Sequence, residues 1–287
     1  MTMRRAHSGL MRRAAGSAVA AASAVLPVLA QAAVDRPLWE LGAGAGTLHL
    51  PHYRGSDQST TWLLPVPYVA YRGEIFKADR DGARAVLLDA QRFDVDISAS
   101  ASAPTRSKDN HARAGMPDLK PTVEVGPNLN WTVARGRASR GDWKLDLRLP
   151  VRAAFSVESK SRLAGWIATP NVNLDLRTAG GWNVGLQAGP LFADRRLHGY
   201  FYDVAPAYAN ALRPAYRAAG GYAGFNALAG LSRRDGQRWL GFFVKADSLS
   251  GAAFEDSPLV RRRNHWSAGV AVSWVFAQSS RLVSVDE

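Results

Sequence analysis

The chain has 287 residues, no cysteine, nine tryptophans and a formal net charge of +12. The hydrophobic fraction is 47%, yet beyond the N-terminal segment no apolar run approaches the roughly 20 residues of a membrane-spanning helix. The lack of cysteine excludes disulfides, zinc–thiolate sites and cysteine nucleophiles. A basic chain can bind nucleic acid, but the charges here alternate with apolar residues, and we expect no nucleic-acid partner.

Residues 1–32 have the parts of a secretory signal peptide. Four arginines precede an alanine-rich apolar run, residues 14–29, and Ala30-Gln31-Ala32 fits a small-x-small cleavage site. Because this segment contains four arginines and no acid, the mature chain carries about 12 − 4 = +8 charges. We predict export, with residues 33–287 forming a single domain.

The segment from Pro121 to Phe155 contains two runs of about a dozen residues that alternate between apolar and polar side chains. A period of two indicates a strand with two unlike faces. These runs exceed the roughly 5–6 residues of a soluble strand and match the roughly 9–11 residues of a strand that crosses a bilayer. Trp131 and Trp143 on the apolar face, with charges opposite, are typical of a membrane barrel. A half-buried soluble sheet is the alternative.

The same alternation recurs along the chain, which favours the barrel. Further strands are predicted at 38–50, 62–70, 74–79, 83–90, 93–101, 166–177, 182–192, 221–231, 239–247 and 265–276. Long connections alternate with short ones, as in outer-membrane barrels with long outer loops and short periplasmic turns. We therefore predict an all-β, antiparallel transmembrane β-barrel of the outer membrane with about twelve strands. Ten remain possible if the two short runs around Asp81-Gly82 form a detour.

Within the second strand we assign the outward face to Trp62, Leu64, Val66, Tyr68 and Ala70. Pro65 and Pro67 share the other parity. Two prolines in a strand indicate an edge, a bulge or a strand end, and we interpret them as a local bulge.

The inward faces of the predicted strands carry charges of both signs. We expect these residues to line the lumen: Asp94, Asp96, Glu124, Lys144, Asp146, Arg148, Arg152, Asp175, Arg177, Lys245 and Asp247. Mixed signs favour a structural ion network over a selective pore, because selective channels carry rings of one sign. A hairpin turn centred at Ala138 predicts that Glu124 lies opposite Arg152 and Asn128 opposite Arg148.

The sequence contains no strong catalytic or metal-binding motif. The histidines are scattered, and the sequence has neither a G-x-S-x-G elbow nor an H-E-x-x-H helix. His49 and His52 with Asp57 have poor spacing for a metal site. We assign no catalytic residue, no cofactor and no metal ligand, and we expect a protein that is not an enzyme. An outer-membrane enzyme using His49 or His198 is a minor alternative.

Two loop segments invite interaction hypotheses. Arg261-Arg-Arg263 could contact anionic headgroups or lipopolysaccharide phosphates, or it could be a solvated charge run. The aromatic loop at 194–222 could be a binding surface or a segment folded into the barrel mouth.

Several stretches, in order, resemble the MltA-interacting protein family, also called the MipA/OmpV family. The resemblance rests on the following stretches: Gly42-x-Gly44, Pro51-His-Tyr53-Arg-Gly55-Ser56, Pro65-x-Pro67-Tyr68, Tyr71, Tyr200-Phe-Tyr202-Asp-Val204, Pro214-Ala-Tyr216, Gly220-Gly221, Ser257-Pro258 and Ser267-Ala-Gly269-Val-Ala-Val-Ser-Trp-Val-Phe276. Tyr202-Asp203-Val204 departs from the Tyr-Tyr-Gly-Val-like run that members tend to have. The chain also continues past Phe276 as a tail. Either the assembly machinery recognises Phe276 within the chain, or the tail is a periplasmic addition.

The resemblance implies an outer-membrane barrel that joins a lytic transglycosylase to a murein-polymerising penicillin-binding protein in peptidoglycan remodelling. The family also implies no catalytic residues. A small-solute channel, or a surface adhesin or antigen, is the alternative function. Outer-membrane lipid and lipopolysaccharide are the remaining expected partners.

Overall fold

The computed structural model describes residues 34–72, 76–79, 82–90, 92–138 and 141–285, and for residues 76–79 and 82–90 the backbone alone is described. The segment that we predict to be a signal peptide lies outside these ranges. Within them the protein consists mainly of β-strands, with one α-helix and three short 3₁₀ turns.

The strands are long and cover most of the described chain. They are β1 (Val34–Pro37), β2 (Trp39–Pro51), β3 (Ser59–Arg72), β4 (Phe76–Asp79), β5 (Gly82–Ala90), β6 (Phe93–Ser102), β7 (Thr122–Ala138), β8 (Gly141–Ser156), β9 (Arg162–Ala168), β10 (Asn171–Thr178), β11 (Trp182–Ala193), β12 (Gly221–Asp235), β13 (Arg238–Ser248), β14 (Asn264–Gln278) and β15 (Leu282–Val285). The helix α1 spans Arg195–Tyr202, and the 3₁₀ turns are Ser107–Asp109, His111–Arg113 and Pro206–Tyr208.

The sheet closes into an antiparallel barrel. Strands β2 to β14 form one sheet in which β14 pairs with β2, while β9 and β10 both lie between β8 and β11. Strands β9 and β10 are therefore two halves of one strand, interrupted at Thr169-Pro170. Counting them once leaves twelve strands among the described residues, and the predicted barrel is confirmed. The two short strands around Asp81-Gly82 are also present, as β4 and β5.

The connections divide the barrel into two ends. Long loops, at 52–58, 103–121, 157–161, 194–220 and 249–263, leave one end, which we call the loop end. Connections of a few residues leave the other, the turn end. The predicted tail returns there as β15, which pairs with β1. Both described termini thus lie at the turn end.

Exposed apolar side chains cover the outside of the barrel, as expected for a wall that faces acyl chains. Two bands of exposed aromatic residues flank them. The band near the turn end comprises Trp39, Tyr71, Phe93, Trp131 and Trp274, and the band near the loop end comprises Phe155, Trp166, Phe192, Phe225 and Trp266. No helix among the described residues is long and apolar enough to span a membrane.

Three inward glycines of β2 bring it unusually close to β14. A Cβ on Gly42, Gly44 or Gly46 would lie 2.4, 1.9 or 2.7 Å from a backbone carbonyl oxygen of β14. Real side chains do not fit at such distances, so these positions require glycine. Glycine in a strand interior often marks a close approach of another backbone, and here the backbone of β14 lies against these positions.

The predicted faces of β3 are reversed in the structure. Trp62, Leu64 and Val66 face inward, because Leu64 and Val66 lie opposite Gly46 and Gly44 on β2. Leu63, which is 77% exposed, lies on the outward face instead. The prediction failed because both faces of β3 are apolar, so alternation alone could not choose between them. Bulky inward side chains fill the space that the glycines of β2 leave.

The interpretation of Pro65 and Pro67 as a bulge is wrong, because β2 and β3 pair without a register shift from Trp39–Tyr71 to Pro51–Ser59. Both prolines instead have the parity whose backbone groups point away from β2. The bonds from the Arg72 N–H to the Leu38 carbonyl and from the His52 N–H to the Gln58 carbonyl fix that parity at both ends. The prolines therefore occupy an edge and cost no ladder hydrogen bond.

The predicted register of β7 and β8 is wrong by two residues. Glu124 lies opposite Ala154, and Asn130, rather than Asn128, lies opposite Arg148. The turn lies beyond Ala138, and a bulge at Val133 adds one residue to β7. The expected ion pair still forms diagonally, because a long arginine reaches across the two-residue offset.

We expect Gly44→Ala to destabilise the barrel by about 1–3 kcal/mol or more, because the new methyl group would overlap the Val272 carbonyl oxygen and force the strands apart. Gly185→Ala is the matched control, since its Cβ would lie 3.6 Å from the nearest heavy atom. The measurement is the thermal midpoint at which the compact folded band disappears in gel electrophoresis. Equal midpoints for the two variants would show that the close approach carries no stability.

Candidate functional site

The lumen contains several separate charge clusters, and the first is centred on Asp146. This residue is fully buried, and its carboxylate lies 3.2 Å from both Lys144 Nζ and Arg148 Nη2. Thr132 donates a hydrogen bond of 3.0 Å to it. Arg148 also reaches Asp175 on β10 at 3.2 Å. A buried carboxylate with three such partners joins β7, β8 and β10 across the lumen wall.

A second cluster lies closer to the loop end. Arg152 pairs with Glu124 at 3.0 Å and also donates to Ser98 at 3.3 Å and Thr169 at 3.4 Å. Three strands, β6, β7 and β8, and the break between β9 and β10 thereby share one guanidinium. Arg177, the remaining basic residue predicted on β10, lies opposite Asp142 of β8.

A third cluster surrounds Asp247 just below the loop end. Its carboxylate lies 3.0 Å from Arg54 Nε, 3.4 Å from Lys245 Nζ and 3.7 Å from His265 Nε2. The neighbouring strand contributes the histidine, whereas the arginine comes from the loop after β2. This loop residue was not among the predicted lumen residues, and no strand alternation could have revealed it.

The fourth cluster, on β6 and β7, differs from the others in having no basic member. Asp94 and Asp96 accept hydrogen bonds from the Asn130 amide at 2.7 and 3.0 Å, and Asp96 also accepts one from Asn128 at 3.2 Å. Among the described residues neither carboxylate forms an ion pair.

The turn end contains a further cluster that the sequence analysis missed. Glu40 is almost fully buried and contacts Arg234 Nη1 at 2.6 Å and Arg72 Nη2 at 2.9 Å, with Tyr68 at 3.5 Å. Glu40 is the single carboxylate of β2 and precedes three inward glycines, Gly42, Gly44 and Gly46, which could have marked it. All the predicted lumen residues do lie on inward strand positions, but they fall into distinct groups rather than one continuous lining.

The loops at the loop end fold into a compact cap with its own hydrophobic core. Phe254, Leu249 and Leu259 are fully buried there. The rings of Tyr202 and Phe254 stack with centroids 3.7 Å apart. The aromatic loop at 194–222 therefore folds into the barrel mouth, one of the two alternatives that the sequence left open.

Hydrogen bonds between distant loops hold the cap together. Tyr53 donates to the Leu259 carbonyl at 2.8 Å, and Tyr202 donates to the Arg54 carbonyl at 2.9 Å. Ser257 donates to the Tyr202 carbonyl at 2.8 Å. These contacts join residues far apart in sequence, so they couple the loops at 52–58, 194–220 and 249–263 into one unit that covers the lumen.

Burial shifts several pKa values within the cap. Removal from water raises the pKa of Tyr53 to about 12 and also raises the pKa of Tyr202. Burial lowers the pKa of His198. It also lowers the pKa of His52, which is less deeply buried. His198 Nδ1 lies 2.6 Å from the Ala219 carbonyl oxygen, which requires a donated N–H and leaves Nε2 as an acceptor. A neutral His198 is therefore part of the closed cap.

A cavity of about 890 Å³ lies beneath the cap. It reaches from the cap residues His198 and Phe254 down past the Asp247 cluster to Asp94 and Asp96. A second cavity, of about 1140 Å³, extends toward the turn end between inward residues such as Leu64 and Trp239. The inside of the barrel is hollow below a closed loop end.

The described histidines form no complete catalytic set. His49 Nδ1 lies 2.8 Å from Thr61 Oγ1 on the outer wall, where the imidazole stacks on Trp266. This contact pairs a hydroxyl with a base, but no carboxylate or amide among its described partners orients the ring. No group of three or more His, Asp or Glu side chains in the described ranges could hold a metal ion. His49 and His52 do not meet, because residue 49 lies on the outward face.

We expect the cap to loosen as the pH falls below about 6.5, the ordinary pKa of histidine. Because burial lowers the pKa of His198 and His52, the open cap binds protons more readily than the closed cap. The stability of the closed cap is therefore complete above the ordinary pKa and is lost as the pH falls below it. Amide hydrogen exchange of residues 195–219, corrected for intrinsic rates, measures this opening.

The control is His198→Asn, which keeps a donor for the Ala219 carbonyl but does not titrate. This variant should reduce the pH dependence of exchange. An equal pH dependence in both proteins would contradict the role of His198.

The chain matches the family model described as "MltA-interacting protein MipA" over residues 42–276. No curated protein matches the chain. Among solved structures, outer membrane phospholipase A from Escherichia coli is 12% identical with a TM-score of 0.32, and the match covers 84% of this chain and 94% of that one. A Pseudomonas aeruginosa FadL homologue is 10% identical with a TM-score of 0.32, covering 85% of this chain and 72% of that one.

At such identities and TM-scores these structures support no argument about activity. The family match is different in kind, because it covers most of the chain and includes every strand from β3 to β13. It agrees with a closed barrel that carries an apolar outer wall and two aromatic bands. The chain therefore belongs to the MltA-interacting protein MipA family and is an outer-membrane β-barrel.

Proposed function

We propose that this barrel is a non-enzymatic interaction protein of the cell envelope. It binds a lytic transglycosylase at its periplasmic turn end and brings it together with a murein-polymerising penicillin-binding protein. Family membership supports this proposal, since the family description names an interaction with MltA.

The structural observation that carries the proposal is the packed cap. Fully buried Phe254, Leu249 and Leu259 close the loop end, so the described cavities beneath it offer no wide path through that end of the barrel. A barrel closed in this way serves diffusion poorly. What it presents to the periplasm is a rigid surface on a closed sheet.

The turn end has a charge pattern suited to docking an acidic protein surface. Exposed arginines surround it: Arg92, Arg135, Arg137, Arg233, Arg238 and Arg281. Arg233 lies over the Trp182 ring, with its guanidinium carbon 5.5 Å from the centroid. Because both described termini and the β1–β15 pair also lie here, this end extends furthest toward the periplasm in the orientation usual for such barrels.

We expect an affinity pull-down from cross-linked envelopes, with a tag after Glu287, to enrich a lytic transglycosylase and a penicillin-binding protein relative to an unrelated barrel. Charge reversal at Arg135 and Arg238 should reduce the recovery, because rim charges steer association. Charge reversal at Arg261 and Arg262, which are exposed at the loop end, is the matched control. Equal recovery with both variants would contradict docking at the turn end.

A small-solute channel is the second candidate, favoured by the polar cavity of about 890 Å³ beneath the cap. We expect the wild-type protein to show no steady conductance in planar bilayers, because the cap core blocks the loop end. Phe254→Ala combined with Leu259→Ala should raise conductance by opening the cap, since each change removes a buried side chain. Steady wild-type conductance with a reproducible unit step would support the channel instead.

Lipopolysaccharide is a further proposed partner at the loop end. Arg261 and Arg262 are exposed there, and their backbone N–H groups bond to the Gly55 carbonyl, at 2.7 and 3.0 Å, which fixes their position on the cap. Anionic phosphates at the outer surface match this charge.

A further inference from the structure

One part of the barrel wall is much shorter than the rest. Strand β4 has four residues and pairs with β3 at Tyr71 and Arg72, while β5 pairs with β6 between Phe93 and Asp96. Beyond this short hairpin, Ser59–Val69 of β3 and Ile97–Ser102 of β6 have no strand partner on their facing edges among the described residues. Two strands are missing there, which at about 4.8 Å per strand leaves a gap of up to about 14 Å.

The backbone groups on both edges point into this gap. Even-numbered residues of β3 bond to β2, so Leu63, Pro65, Pro67 and Val69 direct their backbone groups away from it. The prolines present carbonyl groups without N–H groups, which prevents a neighbouring strand from completing a ladder along β3. Pro65 and Pro67 therefore favour an open edge on β3, in addition to the shortness of the hairpin.

The facing edge, on β6, is also open. The bond from the Thr132 N–H to the Arg92 carbonyl fixes even-numbered residues of β6 toward β7. Ile97, Ala99 and Ala101 therefore direct three N–H and three carbonyl groups into the gap. In lipid such groups need hydrogen-bond partners, so the gap requires water or a polar ligand.

Loop contacts close the gap at the loop end and turn it into a window. Thr105 donates a hydrogen bond to the His52 carbonyl, and Asn110 donates to Ser56 Oγ at 3.0 Å. The loops after β2 and β6 are thereby joined above the gap, while the β4–β5 hairpin lies below it. We call this opening, framed by β3, β6, these loops and the hairpin, the lateral window.

The lateral window opens into the cavity beneath the cap. Every residue from Ile97 to Ala103 lines that cavity, including those whose side chains point outward. The cavity therefore lies directly behind the uncovered edge of β6. Because no described strand lies between Ser59–Val69 of β3 and Ile97–Ser102 of β6, the lateral window gives this cavity an opening through the wall.

An acceptor-rich pocket lies just below the window, where β5 pairs with β6, and lines the same cavity. Asp94 and Asp96 share the Asn130 amide, and no described basic side chain pairs with them. Asn128 is 8% exposed. Its amide nitrogen donates to Asp96 and to Asn130 Oδ1, and its own Oδ1 accepts no hydrogen bond from the described residues. Two carboxylates and an unpartnered amide oxygen match a primary ammonium group, which has three N–H donors and a positive charge.

We propose that the lateral window and this pocket bind a single-chain acyl amphiphile with a primary ammonium headgroup, taken from the surrounding leaflet. The ammonium lies against Asp94, Asp96 and Asn128, and the acyl chain leaves through the window. Outside, it meets the exposed apolar lip of Leu63, 77% exposed, and Val69, 54% exposed. Hydrogen-bonding groups of the amphiphile next to its headgroup bond to the unpaired backbone groups of β3 and β6 that border the window.

Two other occupants fit less well. A polypeptide strand could pair with β6, but Pro65 and Pro67 deny it a partner on β3. An anionic headgroup would lie against two carboxylates that have no basic partner among the described side chains. Charge complementarity and the small side chains at Ala99 and Ala101 favour the cationic amphiphile.

The test uses the full-length barrel in phosphatidylglycerol vesicles that contain a lysophosphatidylethanolamine with a diazirine on the acyl carbons nearest its headgroup. After illumination, peptide mapping should place adducts on β6 and β7 rather than on β12 of the opposite wall. Asp94→Asn with Asp96→Asn should lower labelling about tenfold, as expected for loss of a charge-assisted hydrogen bond. Asp175→Asn, whose carboxylate pairs with Arg148, is the matched control and should label normally.

Access through the window is tested separately. Ala99→Trp should block labelling, whereas Ala227→Trp, an outward alanine of β12 with strands on both sides, should not. All variants must show the folded band in gel electrophoresis. Equal labelling by the choline analogue, which has no N–H donor, or by lysophosphatidic acid would overturn the proposal. Adducts spread evenly around the barrel, or a polypeptide cross-linked at Ala99→Cys, would overturn it as well.

Discussion

The structure depends on one constraint: within a bilayer every backbone N–H and carbonyl group needs a partner, so a sheet must close on itself. Closure is made where β14 meets β2, and there the chain carries Gly42, Gly44 and Gly46, whose missing side chains are replaced by β14 carbonyl groups. Leu64 and Val66 of β3 lie opposite Gly46 and Gly44, and their side chains occupy the lumen beside these glycines. One seam thus fixes both the curvature of the barrel and the reversed faces of β3.

The same constraint gives meaning to the one place where closure is incomplete. Pro65 and Pro67 lie on the edge of β3 that β4 does not cover, so the absence of a neighbour there is encoded in the residue type. An exposed edge within the membrane is tolerated where it borders water or a ligand, and the adjoining cavity provides that environment. The open edge and the acidic pocket occupy successive segments of β6, and both line the same cavity.

In this molecule polar contacts lie inside the barrel, and the compact hydrophobic core lies in the loops. The inner wall is joined by ion clusters such as Asp146 with Lys144 and Arg148, while the compact apolar core lies in the loops around Phe254. Burying ion pairs contributes little net stability, so these clusters specify which strands adjoin rather than hold the barrel together. The cap, by contrast, gains stability from burial, and it is where titration of His198 acts.

The sequence predicted the strands well where their two faces differed in polarity, as in β6, β7, β8 and β14. It failed on β3, where both faces are apolar and the choice depended on Gly44 of the preceding strand. It placed β7 two residues out of register because the turn lies beyond Ala138 rather than at it, and the bulge at Val133 offsets only one residue of that error. The cap lay beyond sequence reasoning, because contacts such as Tyr53 to Leu259 join residues without a shared period.

The structure distinguishes Asp94 and Asp96 from the other acidic residues of the lumen, which the sequence alone does not. By sequence, Asp94 and Asp96 are two acids among eleven lumen residues of mixed sign. In the structure the other acids of that set have described basic partners, as Glu124 has Arg152 and Asp247 has Arg54, whereas these two have amides. A carboxylate that accepts hydrogen bonds from neutral amides, with no described cation beside it, is a suitable partner for a bound cation. The position of these acids beside the open edge, rather than their number, is what distinguishes binding from scaffolding in this lumen.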